Sequence, residues 1–549
     1  MRILLILSLF LSTLFSTGLD NKLNFILQNQ PQQLSNYVSE QKLIKTLYRK
    51  NHNFPLWIGH AHNFNSLREI LSDPYFNYKN KDFYQSEIEQ YTYLLHDNMN
   101  LNMNVQELSR LDILLTRAYV RMASFIVKSD INWDLVQTKL KQMKDEKDIT
   151  ANWEMVRKKT PSSTKLFNAI KNQNIKGFFN SLIPSKRQYK ELIEALSFYQ
   201  TLPPMERIKY ERDLKLGDRH PYIVSIKKHL ITTGDLYNRN NTSDLFDNDL
   251  KQALFSYKNR FKLKQNGLID KVLVYYMNKP TSHLIDKIIV NLDKLKVFPT
   301  RFPDEYIRVN LPDFKMNYIR NGQSILEMRA VVGRPERPTP IFSSYMTYLE
   351  INPYWNIPEN LVRRDLIVAL QEHPDYLKEH NIRVFYGWNK KSEMKNFKPS
   401  MLAPYADVSK GHIPYRFVQY PGDDNALGRI KFMFPNKYSV YLHDTDNKSL
   451  FQYRYRVYSS GCMRLAKPFE LLDVLKSRIS SKYLNILNKY RNTLINKVIK
   501  FNKKLPVHTT YFTVFKRNGL TYFRKDIYEY DKFIQESKIK NFDRAFQSN

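Results

Sequence analysis

The chain has 549 residues, one cysteine, and 86 Lys and Arg against 53 Asp and Glu, a formal net charge of +33. Its 42% hydrophobic and 14% aromatic content supplies several buried cores, which excludes an intrinsically disordered chain, and its length sets a soft expectation of three or four domains. A lone cysteine excludes an intrachain disulfide, and the scattered positive charge fits either a solvated surface or attraction to an acidic polymer.

In chain order, Met1-Arg2 precedes an apolar run from Ile3 to Phe15 and a small-residue exit at Ser16-Thr17-Gly18. This is the pattern of a secretory signal over residues 1–18. The run is short for a bilayer span, and an uncleaved anchor is the alternative. Residues 19–205 read as helical, with apolar residues at helical spacing from Leu111 through Ile126 and again at Leu192, Ile193, Ala195 and Leu196. Tyr48 to Trp57 reads as a helix end and a Pro-bounded loop. Pro203-Pro204 marks a boundary. Residues 206–290 form a small three-helix unit. Its first helix runs from Pro221 to Thr233 and closes at Gly234, its second carries Leu250, Ala253, Leu254, Tyr257 and Phe261 on one face, and its third ends near Met277.

From Glu305 the period becomes two: Phe314, Met316 and Tyr318 alternate with Lys315 and Asn317, and Asn321-Gly322 turns the chain into Ile325–Val332. Tyr345–Ile351, Lys431–Phe434 and Ser439–His443 read as further strands, and Pro468 opens a helix bearing Leu471, Leu472 and Leu475. The fold class is therefore α+β. Residues 300–500 are a mainly β unit with a helical and loop insertion at 363–416, and residues 501–549 are a strand–turn extension around Asn518-Gly519.

The chemistry concentrates at Ser459-Ser460-Gly461-Cys462-Met463-Arg464, with His443 upstream. A lone thiol is a buried hydrophobe, a handle for intermolecular pairing, or a nucleophile, and a nearby imidazole is the minimal kit for the last. No metal-ligand cluster stands out among the 12 histidines, and there is no Gly-rich phosphate loop, zinc-finger spacing or ribonucleoprotein signature. Neither a metal, a cofactor nor a nucleic acid is expected.

Tyr441-Leu442-His443-Asp444-Thr445 followed by Ser459 to Arg464 resembles the signature of the YkuD-type L,D-transpeptidase catalytic domain. Val331-Val332-Gly333-Arg334-Pro335 with Thr339-Pro340, Asn352 to Pro358, and Gln419 through Phe432 resemble its large, multidomain, YcbB-like branch. The resemblance implies a helical scaffold domain, a three-helix peptidoglycan-binding-like domain and a catalytic domain whose insertion acts as a lid. Ser460 stands where many members have His, and Tyr257-Lys258 where Phe-Gln is common.

The implied activity is 3→3 crosslinking of peptidoglycan. The Cys462 thiolate attacks the diaminopimelate carbonyl of a tetrapeptide donor, D-Ala leaves, and the thioester passes to a second stem's diaminopimelate amine. In this reading His443 lowers the thiol pKa and carries the proton. The N–H groups of Gly461 and Cys462 meet the oxyanion, with Ser460 lining that site or bonding its own loop. The backbone carbonyl of Asp444 orients the imidazole. Tyr441 touches substrate or packs; Arg464 recognises a stem carboxylate or pins the loop, and Arg456 has the same two readings. The resemblance further implies a carbapenem-sensitive monomer in the periplasm of a Gram-negative bacterium, with stem peptides and other cell-wall synthesis proteins as partners. Hydrolysis of the same acyl-enzyme, anchoring of a protein, and a non-catalytic wall-binding scaffold are the alternatives.

Overall fold

The computed structural model describes residues 13–97, 105–387, 393–406 and 411–539. Most of the expected signal segment, residues 1–12, lies outside them. Among the described residues no helix is long and apolar enough to cross a membrane. The chain divides into two compact units. One comprises residues 1–139, 155–302 and 512–549; the other comprises 140–154 and 303–511.

The first unit is helical. Its axis, Val105–Lys128, is buried at Leu108, Leu111, Leu115, Tyr119, Met122 and Ile126 and on most of its other sides. A helix apolar nearly all round must be enclosed by others. Its one interior carboxylate is an anchor: Asp112 accepts the N–H groups of Leu56, Trp57 and Ile58 at 3.1, 2.9 and 2.9 Å and the Tyr48 hydroxyl at 2.6 Å. This holds the Pro-bounded loop read from sequence. Tyr222–Thr232, Asn248–Arg260 and Lys271–Met277 are helices, the last two capped by Asp247 and Asp270. The hairpin Val514–Arg517/Leu520–Phe523 turns at Asn518-Gly519. Within the extension expected at 501–549, the strand pattern is interrupted between Thr510 and Val514.

Among its described residues the second unit has twelve strands: β1 (Glu305–Asn310), β2 (Lys315–Arg320), β3 (Gln323–Gly333), β4 (Ser343–Ile351), β5 (Trp355–Asn356), β6 (Ile382–Tyr386), β7 (Tyr415–Gln419), β8 (Ile430–Met433), β9 (Leu442–His443), β10 (Val457–Ser459), β11 (Met463–Leu465) and β12 (Lys497–Thr510). Nine of them run in the order β10-β3-β11-β9-β8-β4-β12-β1-β2, and β2 pairs again with β3. The eight strands from β3 round to β2 therefore close on themselves, which removes the exposed edges of an open sheet. The β2–β3 hairpin turns at Asn321-Gly322, both at positive φ. Asn317, expected on an outer face, is buried and donates to Ser324 and Glu327.

The insertion is not the helix-and-loop segment expected at 363–416. β6 and β5 flank β7 in an antiparallel sheet, and a helical run Glu359–Glu372 packs with it around Val362, Leu366, Leu370, Val384, Leu402 and Phe417. Short strands of alternating Ile382, Val384 and Phe417 among many charged residues lack the length that marks a strand in sequence. Trp388 lies outside the described residues.

Candidate active site

Register assembles the site. β9 and β11 are parallel neighbours with Leu442 opposite Met463 and His443 opposite Arg464, so Tyr441 falls level with Cys462. Registered neighbours project to one face, as do alternate residues along a strand. Tyr441, His443, Cys462 and Arg464 therefore share a face. The row continues through β8, where Lys431 is opposite His443, to β4, where Glu350 is opposite Lys431.

Cys462 sits just before β11 and is partly exposed. Gly461 before it has φ +117, a conformation that side chains other than glycine's rarely adopt. The loop is held from beneath. Ser459 Oγ accepts the Gly461 N–H at 3.2 Å and donates to the Cys462 carbonyl at 2.5 Å. Fully buried Thr339 donates to the Gly461 carbonyl at 2.8 Å and accepts the Gly333 N–H at 2.9 Å. A Cβ on Gly333 would lie 2.2 Å from the Arg337 carbonyl oxygen, so only glycine admits this packing.

Two of the expected oxyanion groups are otherwise engaged. The Gly461 N–H is bonded to Ser459, whereas the Cys462 N–H has no partner among the described residues. The exposed Ser460 hydroxyl accepts from Arg337 Nη1 at 2.9 Å. Arg337 also grips Asp365 of the insertion with both terminal nitrogens, at 2.7 and 2.9 Å. The Arg337 contact joins Ser460 to a segment outside its own loop.

Cys462 Sγ lies 3.9 Å from the Ser439 carbonyl oxygen. No hydrogen bond joins the thiol to the imidazole among the described residues; such bonds commonly tighten only with substrate. Burial pushes the thiol pKa up, while Tyr441, Lys431 and Arg464 pull it back. His443 is 4% exposed, and its pKa falls to about 3, first through burial and then through the charge of Arg464, with Lys431 and Lys448 adding to it. Both shifts favour a neutral thiol and a neutral imidazole in the resting site. Burial is the first cause of each; the surrounding cations push the imidazole the same way but favour the thiolate.

The Asp444 carbonyl acts on the ring in the expected direction, yet His443 Nδ1 has no partner of full hydrogen-bond geometry among the described residues. The Asp444 carboxylate does other work: it accepts the Arg429 N–H at 2.9 Å and pairs with Lys448. Tyr441 is more intimate with the nucleophile than the sequence told. Its hydroxyl is coupled to both Cys462 and Trp355, its ring meets His443 edge-on at 5.4 Å, and Lys431 Nζ lies 4.5 Å from its centroid. Trp355 also packs on the insertion core.

The two arginines diverge. Arg456 donates to the carbonyls of Ala330, Tyr453 and Phe314 at 3.0, 2.8 and 2.8 Å and so pins the chain. Arg464 makes one long bond, 3.4 Å to Thr445 Oγ1, and its Nε is buried without a partner. Sequence reasoning missed Thr339, Arg337, Ser459, Lys431 and Asn436. The last folds the 434–440 turn through the Tyr438 N–H and the Val440 carbonyl, which shortens the expected Ser439–His443 strand to Leu442–His443. Thr339, Lys431 and Ser459 lie in segments of the family pattern and Arg337 in the short gap of one, but no residue type there marked their roles; Asn436 lies outside it. No group of His, Cys, Asp and Glu among the described residues could hold a metal.

Residues 304–495 match the L,D-transpeptidase catalytic domain model (YkuD), and residues 42–196 match a scaffold domain model. Both domains are present in the chain. A curated Haemophilus influenzae protein named "Putative L,D-transpeptidase" is 31% identical over 279 residues, covering 49% of this chain and 53% of that protein, so the match spans about half its length. Solved structures with a local likeness include an L,D-transpeptidase from Xylanimonas cellulosilytica (10% identity, 56% of this chain and 99% of that one, TM-score 0.17) and a cysteine-to-serine mutant of the Enterococcus faecium L,D-transpeptidase (12% identity, 58% and 99%, TM-score 0.18).

Proposed function

We propose that the chain is an exported cell-wall enzyme of the large, multidomain branch that crosslinks peptidoglycan stems as an L,D-transpeptidase, with Cys462 as nucleophile and His443 as acid–base. The observation that carries this reading is the strand register: within the matched catalytic domain, thiol, imidazole and Tyr441 share one sheet face on neighbouring strands. The donor is a tetrapeptide stem and the acceptor a diaminopimelate side-chain amine. As sulfur bonds the donor carbonyl carbon, the thiol proton passes to His443. The oxyanion takes the Cys462 N–H. The C–N bond then breaks, the amine leaves with the proton from His443, and a thioester remains. The acceptor amine attacks the thioester and gives a proton to His443; the C–S bond breaks and that proton returns to sulfur. Tyr441 flanks the thiol on the substrate side, and the Asp444 carbonyl orients the ring. The insertion, tied to the nucleophile loop through Arg337, serves as the lid.

The test is product analysis on tetrapeptide-stem muropeptides. The expected result is released D-Ala and a 3→3 dimer. Tripeptide stems without dimer would replace transpeptidation by hydrolysis. No release with the folded chain would leave a wall-binding scaffold.

A further inference from the structure

Two arginines near the thiol, Arg464 and Arg334, have no carboxylate partner within ion-pair distance among the described residues. Arg464 lies beside His443 on the next strand, and Arg334 follows β3, its backbone N–H bonded to the Ser459 carbonyl at 2.9 Å. Each guanidinium makes one long hydrogen bond, Arg464 to Thr445 Oγ1 and Arg334 to the Tyr458 carbonyl, both 3.4 Å. Each has a buried Nε with no partner among the described residues. An orphan Nε is not diagnostic alone, since Arg117 and Arg308 have one too. What sets this pair apart is position: Arg464 is the registered partner of His443 two residues after Cys462, and Arg334 is bonded through its backbone to Ser459, three residues before it. Asp446, the acid nearest in effect, is exposed and accepts from Thr445 rather than pairing with Arg464. Buried guanidinium donors left open beside a like charge favour an anion, and a carboxylate fits them bidentately.

Resting on the transpeptidase reading, we propose that Arg464 and Arg334 hold the carboxylate of the donor's departing residue. The geometry points to this carboxylate. The departing α-amino acid carries its amine and its carboxylate on one carbon. The group that protonates the amine and the group that holds the carboxylate must then be immediate neighbours, and His443 and Arg464 are registered partners. The pair thus acts as a ruler that selects donors whose terminal carboxylate lies one residue past the scissile bond.

The experiment follows thioester formation by intact mass with three donors: the tetrapeptide acid, the same peptide amidated at its terminal D-Ala, and the same peptide amidated at the diaminopimelate side chain. With the wild-type chain, terminal amidation should slow acylation roughly 10- to 100-fold, the range for a lost hydrogen bond to a charged group, and side-chain amidation should not. Arg464→Gln and Arg334→Gln should each bring the ratio of acid to terminal-amide rates towards one, whatever either rate does alone, and Arg464→Lys should restore part of that ratio. Equal rates for acid and terminal amide overturn the proposal without any variant. So does slowing by side-chain amidation alone, or an equal loss on both donors in Arg464→Gln, which would make Arg464 a pin for its loop. A wild-type chain that no donor acylates sinks the transpeptidase reading, and this proposal with it.

Discussion

The buried cations of the helical unit and those beside Cys462 obey different rules. In the helical unit Arg121 is held by both carboxylate oxygens of Glu40 at 2.8 and 3.0 Å, Lys227 by Asp247 at 2.6 Å and Lys258 by Asp270 at 3.0 Å. Lys79 bridges Asp130 and Asp293, and Arg260 meets Asp235. Where no carboxylate serves, a helix-end carbonyl does, as Ile126 does for Lys296 at 2.6 Å. In the β unit Arg456 gives every guanidinium nitrogen a carbonyl acceptor, while Arg464 and Arg334 each keep a buried Nε without a partner among the described residues. Folding alone favours pairing every buried charge, because an unpaired one costs several kcal/mol. On the carboxylate-binding proposal, the two open cations near the nucleophile are where stability yields to binding.

The sharpest break of this comparison is at the nucleophile. Cys462→Ala should abolish acylation and leave the thermal midpoint within a degree or two, since it removes one sulfur from a partly exposed loop position. A carbapenem, a strained acyl donor, should add one drug mass to the wild-type chain and none to the variant. Turnover of tetrapeptide by Cys462→Ala, or an adduct elsewhere, would remove the thiol from the mechanism.

Next in size is His443→Gln, expected to slow acylation by roughly two to four decades as a lost acid–base. Because both partners rest neutral, the wild-type rate should be nearly flat between about pH 5 and 8. The variant, which needs free thiolate, should climb close to tenfold per pH unit towards the raised thiol pKa. A wild-type profile that climbs in the same way would mean that His443 does not take the proton.

The counterpart in the helical unit is Glu40→Ala. It strands Arg121, 4% exposed, without its carboxylate. The expected cost is about 3–5 kcal/mol of stability, with activity per folded molecule unchanged. A midpoint that does not move would show that buried pairs in this unit are dispensable, and the contrast with Arg464 would lose its meaning.

Much of this was legible because local signals and global fold agree. Asn321-Gly322 and Asn518-Gly519 named their hairpins, Pro468 its helix, and Gly234 a helix end. The Cys462 loop and His443 stood out by residue type alone. What stayed hidden depends on pairing at long separation. Closure of the sheet needs β12 to lie parallel to β1, with Ile307 beside Val507, and no window of sequence reports that. The same holds for Arg464. Its sequence position allows a pin or a carboxylate ligand, and only the partners of Arg456 and Arg464 side by side give the second reading its support. The lowered pKa of His443 was not legible either, since its first cause is burial, and Lys431 and Lys448 reach it from outside the motif.

The smallest effect tests whether the histidines, unlike the cations, are treated alike in both units. His229 in the helical unit has its pKa lowered to about 4 by burial and Arg260. In the β unit, burial and Arg308 lower His508 to about 4, and His443 falls to about 3. An unfolded histidine titrates near 6.5, so below that pH the unfolded chain binds protons that the folded chain refuses. Stability is therefore complete above about pH 6.5 and declines as pH falls towards the folded values. Each histidine should contribute a loss of up to about 2 kcal/mol by pH 5. His229→Gln and His443→Gln remove that titration, so the stability gap between each variant and the wild type should narrow by up to that amount from pH 7.5 to 5. Denaturation midpoints at the two pH values measure it. If the gap narrows for His229→Gln but not for His443→Gln, the site histidine is already protonated in the folded chain. The neutral resting pair would then be wrong, and the imidazole would share the exception made for Arg464.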